Sequence, residues 1–237
     1  MGSNLRPPVV LNARMLKPAI LLSCVLAVVL GVAATPAAAR IVEIGASAKP
    51  LVPSCPATPC FALSRTTGYQ AKVAAERGIH TVPEDGRLVA WSITLGKTGP
   101  RQNAFFERQF GGTASAGITI IRPGSKLYAR TLAGSPIQQL EPYFGSTVQF
   151  ALEQSIEVKK GWIVALTVPT WAPALVTGFG NDHSWRAASR RGGACKDQET
   201  QVPQTQAGRI ARYRCLYRTA RLAYSATLVT APVRPPS

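Results

Sequence analysis

The stretch 146-STVQFALEQSIEVKKGWIVALTVP-169 decides the fold class, because apolar and polar residues alternate through most of it. Successive side chains of a β-strand point to opposite faces, so apolar residues at every second position predict one buried face. In the second half, that face is formed by Trp162, Val164, Leu166 and Val168. Gly161 predicts a turn before this buried strand. We expect a strand, a break, a short edge at 156–158, and then the buried strand.

The same two-residue period recurs on both sides of this stretch. The segment 87-RLVAWSITLGK-97 places Val89, Trp91, Ile93 and Leu95 on one face, and 219-TARLAYSATLV-229 does the same for Leu222, Tyr224, Ala226 and Leu228. A hairpin is predicted over 115–134, turned at Pro123 and Gly124. One helix is expected in 100-PRQNAFFERQFGG-112, where Phe105, Phe106 and Phe110 lie about one turn apart and Gly111 ends it.

Short strands with glycine and proline turns predict an all-β fold, an antiparallel β-sandwich of the jelly-roll type with one short helix. We predict a signal peptide over 1–39, an entry strand and disulfide clip over 40–68, the sandwich over 69–231, and a disordered tail over 232–237. Nearly 200 residues after the leader are enough for one domain with a full core.

The leader has the three parts of a secretory signal peptide. Basic residues come first, an apolar run from Ala19 to Ala34 follows, and Ala37 and Ala39 supply the small-x-small cleavage pattern. An uncleaved membrane anchor is the alternative, although the run is shorter than the ~20 residues that span a bilayer. We therefore expect an exported protein with no transmembrane segment in its mature chain, acting outside the cell or at the cell envelope.

Four of the five cysteines follow the leader, and an even number in an exported chain predicts two disulfides. Three pairings are possible, and we favour Cys55–Cys60 with Cys195–Cys215. A zinc site is the alternative, but neither close pair has the two-residue spacing that zinc ligands usually show. We expect no metal and no cofactor.

Three segments together resemble a group of secreted actinobacterial proteins of no assigned function. They are 82-VPEDGRLVAWSITLGK-97, 158-VKKGWIVALTVPTWAPAL-175 and 215-CLYRTARLAYSATL-228, and the resemblance extends over most of residues 80–230. It implies export and a β-sandwich, and it implies no catalytic residue.

Candidate catalytic groups are few. Asp182, His183 and Ser184 are consecutive, but neighbouring residues of an extended segment face opposite sides, so we expect a polar turn there. Glu107 and Glu141 could be paired by the fold as two carboxyls of a glycosidase. A secreted hydrolase built on His183 or on this pair is therefore kept as an alternative to a protein without catalysis.

Aromatic and basic residues supply the candidate contacts for a ligand. Trp171, between two prolines, and Trp185, before Arg186, could form a flat platform for a sugar ring, or Trp171 could fill one end of the sandwich. The chain carries a net charge of +16, and the region from Arg186 to Arg221 is strongly basic. There Arg212, Arg214 and Arg218 share parity, so one strand would project them from one face as an arginine stripe.

From these features we expect a secreted, monomeric binding module for an anionic polymer or a glycan of the envelope. The predicted contacts are Trp171, Trp185, Arg186, Arg212 and Arg214. No recognised nucleic-acid motif is present, so we expect no specific nucleic-acid partner. A structural envelope protein without a ligand is the remaining alternative.

Overall fold

The computed structural model describes residues 38–188, 195 and 202–232. The predicted signal peptide and the predicted tail lie almost entirely outside these residues. The boundary that the sequence suggests at residue 68 falls inside a long strand, β2.

Fifteen strands and one helix form the described part of the chain. The strands are β1 (Ile41–Ile44), β2 (Leu63–Val73), β3 (Glu76–Arg77), β4 (Gly86–Thr94), β5 (Ser115–Pro123), β6 (Tyr128–Gly134), β7 (Gln138–Gln139), β8 (Thr147–Val158), β9 (Ile163–Ala172), β10 (Leu175–Thr177), β11 (Ser184–Ala187), β12 (Ile210–Arg212), β13 (Cys215–Arg218), β14 (Ala220–Leu222) and β15 (Tyr224–Thr230). The helix α1 (Pro100–Phe110) begins with a proline and ends at Gly111, whose φ of 80° is the left-handed conformation that glycine adopts most easily.

The strands pair antiparallel throughout, in two main sheets and one two-stranded ribbon. The smaller main sheet has the order β1-β15-β4-β8, and the ribbon pairs β10 with β14. The larger sheet has the order β12-β6-β5-β9-β2-β11-β13, with β3 added beside β2 and β7 beside β5, and it curls into a half-barrel. The predicted all-β antiparallel class is confirmed.

The main core lies between the two sheets and contains the buried faces that the sequence predicts on β9 and β15. Val164, Leu166 and Val168 are each at most 1% exposed. Tyr224, Ala226 and Leu228 face them from the other sheet and belong to the same cluster. Burial of these side chains is worth roughly 1.5–3 kcal/mol for each large residue and is the main stabilising contribution to the fold.

The prediction for β4 is wrong at Val89, which is only half-buried, whereas Leu88 is fully buried. The pairing of β4 with both neighbours shifts at this point, so Val89 is an extra residue in the strand. A β-bulge of this kind reverses the alternation of faces. Leu88 therefore enters the core beside Trp91 and Ile93.

We also predicted that the strand is interrupted before residues 156–158. This is wrong, because β8 is continuous from Thr147 to Val158. Its pairing with β4 is nevertheless interrupted. Ala151 pairs with Ala90 and Ile156 pairs with Leu88, and the residues between them have no partner on β4. The polar residues 153–155 mark this irregularity.

The curl of the large sheet encloses a second, smaller apolar cluster on the face opposite the main core. Ile163 and Ala165 of β9 point into it, and Tyr213 covers it at 1% exposure. Burial raises the pKa of the Tyr213 hydroxyl well above its ordinary value. The ring of Tyr69 lies 5.6 Å from that of Tyr213 and closes one end of the cluster.

Both predicted disulfides are present, Cys55–Cys60 and Cys195–Cys215. The first closes a short loop before β2, and the second joins Cys195 to the first residue of β13. Within the described residues, no helix has both the length and the apolar character needed to cross a bilayer.

Candidate functional site

The two tryptophans predicted as a stacking platform are both buried. Trp171 is 0% exposed and Trp185 is 6% exposed. Trp171 packs against Phe106 of α1 and Phe144, with ring centroids 4.9 and 5.6 Å away. The expectation of an exposed platform is therefore wrong, and Trp171 fills one end of the sandwich, as the alternative proposed.

The two tryptophans differ in one respect that can be measured. The indole N–H of Trp171 donates a hydrogen bond of 3.0 Å to the carbonyl of Gly112, whereas that of Trp185 is buried with no hydrogen-bond partner. We expect Trp171→Phe to lower the free energy of unfolding by about 1 kcal/mol more than Trp185→Phe, because only the first change breaks a bond. Chemical denaturation of both variants tests this. Equal losses, or a larger loss at Trp185, would contradict it.

The predicted arginine stripe is also wrong, because residues 210–218 do not form one strand. Arg212 ends β12, beside β6, and its guanidinium lies 5.6 Å from the ring centroid of Tyr128. Arg218 ends β13, beside β11, at the other end of the sheet order. The link between β12 and β13 contains Tyr213, whose side chain is buried. Arg214 is exposed in the link.

Four basic residues instead meet in one groove on the outer face of the large sheet, which we call the cationic groove. It has a volume of about 470 Å³, and among the described residues that line it none is acidic. The four are Lys72, Arg77, Arg186 and Arg218. Lys72 and Arg77 are close in sequence, whereas Arg186 and Arg218 come from two distant parts of the chain.

Strand pairing places three of these side chains in one row. Lys72 of β2 pairs with Arg77 of β3 on one side and with Ser184 of β11 on the other, and Ser184 pairs with Arg218 of β13. Residues directly opposite each other in a sheet have Cβ atoms about 5 Å apart, and like charges in such positions are destabilising. The directly opposed like charges are those of Lys72 and Arg77, and the charge of the Asp182 carboxylate acts on Lys72 from nearby. An anion in the groove would offset the positive charge that remains.

Arg186 lies two residues beyond Ser184 along β11 and is half-buried. Its guanidinium donates to the carbonyl of Tyr213 at 3.4 Å, and it partners Tyr69 across the strands. Burial raises the pKa of Tyr69, and the nearby positive charge of Arg186 partly opposes this. Arg186 is the one predicted contact that lies in the groove.

Sequence reasoning missed Lys72 and Arg77 because the hairpin that joins them lacks a turn signal. The hairpin turns at Ala74 and Ala75, with no glycine, asparagine or proline. Ala74 adopts a φ of 50°, which alanine rarely does. The available signal was the charge pattern of 72-KVAAER-77, with basic residues at both ends.

Two residues of the segment Asp182–Ser184, His183 and Ser184, line different cavities. Asp182 and His183 are joined by a hydrogen bond of 3.0 Å at Nδ1, which lowers the pKa of the Asp182 carboxyl. Our expectation that Asp182 faces away from His183 is therefore wrong. Ser184 is buried in β11 and lines the cationic groove, whereas His183 lines a different pocket. The three side chains do not form a triad.

The fold does pair Glu107 with Glu141, as the hydrolase alternative allows. Burial raises the pKa of Glu141, and a hydrogen bond to Glu107 and the charge of Glu107 raise it further. Glu141 is exposed, and neither carboxyl lines the cationic groove.

Comparison of the chain with protein-family models, with curated proteins and with solved structures found no match.

Proposed function

We propose that the protein is an exported, non-catalytic module that binds an anionic polymer of the cell envelope in the cationic groove. The observation that carries the proposal is the row of Arg77, Lys72 and Arg218 across four neighbouring strands. Opposed like charges weaken a sheet unless something compensates them, and a bound anion would do so. We also propose that the chain belongs with the actinobacterial group that its sequence resembles.

The shape of the groove favours a polymer over a single small anion. Strands in a sheet lie about 4.8 Å apart, so a row over four strands spans roughly 14 Å. Charges spaced over that distance match repeated carboxylates, sulfates or phosphates on one chain. Tyr69 also lines the groove, and its ring offers an apolar surface beside the cations. An acidic polysaccharide combines both features.

Replacing the row should weaken binding without harming the fold. We expect the triple variant Lys72→Gln, Arg77→Gln and Arg218→Gln to bind heparin, used as a sulfated polysaccharide probe, at least about tenfold more weakly, since each exposed charge is worth up to about 1 kcal/mol. The free energy of unfolding should stay equal or rise, because the like-charge contact is removed. Titration calorimetry and chemical denaturation measure the two effects.

A matched variant separates the groove from the overall charge of the protein. Lys97, Arg101 and Lys159 are exposed and lie outside the groove, so their replacement by glutamine removes the same charge. We expect this variant to bind heparin nearly as well as the native chain, and uncharged dextran to bind neither. If heparin binding were weakened equally in the two triple variants, the interaction would depend only on the net charge of the protein. Absence of binding to heparin at low salt would favour a structural protein without a polymer ligand.

A further inference from the structure

A second cavity, of about 660 Å³, shares no lining residue with the cationic groove within the described part of the chain. We call it the Arg221 pocket. The segment 46–51 forms one wall, the β2–β3 hairpin forms another, and Phe179 and His183 complete it. The rings of Phe179 and His183 are stacked with centroids 4.4 Å apart. This volume is in the range of cavities that hold small organic ligands.

Arg221 is the unusual residue of this pocket, because a guanidinium is rarely buried without a counter-charge. It is only 7% exposed. Its Nη1 donates to the hydroxyl of Ser47 at 3.2 Å, and its buried Nε has no hydrogen-bond partner in the described part of the chain. Within the described residues no carboxylate lies within ion-pair distance of it. An arginine has five N–H donors, and the one on Nε is left for a ligand or for water to satisfy.

The remaining walls are mainly apolar. Leu51, Val73, Ile79 and Phe179 contribute large side chains, and four alanines lie between them. A cavity with one buried cation and apolar walls suits a ligand with one anionic end and an apolar body. The planar fork of an arginine matches a carboxylate in particular, because two parallel hydrogen bonds can form.

Glu76 limits the charge that the ligand can carry. It lines the same pocket, and its charge acts on Arg221 and partly offsets the lowering of the Arg221 pKa by burial. A second negative charge on the ligand would be repelled by Glu76, so a single carboxylate is favoured over a doubly charged phosphate. Lys49 is the other basic residue in the wall.

We infer that the Arg221 pocket binds a small monocarboxylic acid with an apolar body, its carboxylate held by Arg221 and its body by Leu51, Val73 and Ile79. This site is separate from the cationic groove and does not depend on the proposed function.

Titration calorimetry with octanoate tests the inference. Acetate serves as a probe with the carboxylate but almost no apolar body, and 1-octanol as a probe with the apolar body but no charge. We expect octanoate to bind the native chain at least about tenfold more tightly than either. Arg221→Met should weaken octanoate binding by at least about tenfold. Glu76→Gln, at an exposed position, should strengthen it severalfold. Arg218→Gln, in the cationic groove, should leave it unchanged.

Three results would overturn the inference: no octanoate binding to the native chain at millimolar concentration, equal binding of 1-octanol, or unchanged binding in Arg221→Met. Circular dichroism establishes that Arg221→Met is folded, and Glu76→Gln tests the same site without touching the arginine. A Glu76→Gln variant that binds more weakly would also contradict the assignment. Heparin binding should not change in either variant, which keeps this test separate from that of the cationic groove.

Discussion

Acidification from pH 6.5 to pH 3 should lower the free energy of unfolding of the native chain by about 4 kcal/mol more than that of His80→Gln. His80 is 1% exposed, and burial first of all lowers the pKa of its imidazole from 6.5 to about 3. The unfolded chain takes up this proton near pH 6.5, and the folded chain does so only near pH 3. Between these values the unfolded state binds more protons, so stability falls as the pH falls.

Besides burial, the hydrogen bond from Gln70 explains why the folded imidazole of His80 resists protonation. Its Nδ1 accepts a hydrogen bond of 3.1 Å from the backbone N–H of Gln70. Its Nε2 faces the carbonyl of Tyr224 at 3.4 Å, and this contact raises the pKa but is outweighed by burial. A second proton would be placed on Nδ1, directly against the donor of Gln70. The positive charge of Arg221 lowers the pKa further.

Chemical denaturation at a series of pH values measures the effect. The His80→Gln side chain keeps an amide oxygen and an amide N–H, so it can replace both hydrogen bonds while it cannot titrate. Carboxylates titrate in both proteins and cancel in the comparison. Parallel stability curves for the two proteins between pH 6.5 and pH 3 would show that His80 does not carry the predicted dependence.

Replacement of Gln70 by methionine should lower the free energy of unfolding by about 3–5 kcal/mol. Gln70 is 1% exposed, and its side-chain amide serves four backbone groups. Its two Nε2 hydrogens are shared among the carbonyls of Lys72, Ser184 and Ala220, at N···O distances of 3.0–3.2 Å, and its Oε1 accepts from the N–H of Leu222 at 3.0 Å. Methionine has nearly the same volume but cannot make any of these hydrogen bonds.

The control for Gln70→Met is the same substitution at an exposed glutamine. Gln154 lies in the part of β8 that has no partner on β4, and its side chain is exposed. Gln154→Met should change the free energy of unfolding by less than about 0.5 kcal/mol. Denaturation in guanidinium chloride measures both variants. A loss below about 1 kcal/mol at Gln70 would mean that water or a small backbone movement replaces the lost bonds.

Alternation of apolar residues was enough to predict the β class, the hairpin over 115–134 and most of the core faces. It failed at Val89, because a bulge adds one residue without any mark in the sequence. It also failed to identify Gln70, because the sequence alone does not distinguish a buried glutamine with four backbone partners from an exposed one. Such positions depend on which strands become neighbours.

The candidate site was predictable only in part for the same reason. A basic region was visible, but the groove takes one cation from each of four strands, and only their pairing order brings Lys72 opposite Arg77 and next to Ser184. For Trp171, the sequence allowed two outcomes. Its proline-flanked context fits an exposed loop as well as a strand end, and packing against α1 decided for burial. Both outcomes follow from contacts between distant segments.

The disulfide Cys195–Cys215 ties the polymer-binding proposal to the redox state of the surroundings. Strand β13, which carries Arg218, has a single strand neighbour, β11, within the described residues. The covalent link at the start of β13 therefore holds the outer rim of the groove in place. Inside a cell, where glutathione keeps thiols reduced, this rim would be free to fray. Under the polymer-binding proposal, the anion would then be bound firmly only in an oxidising compartment.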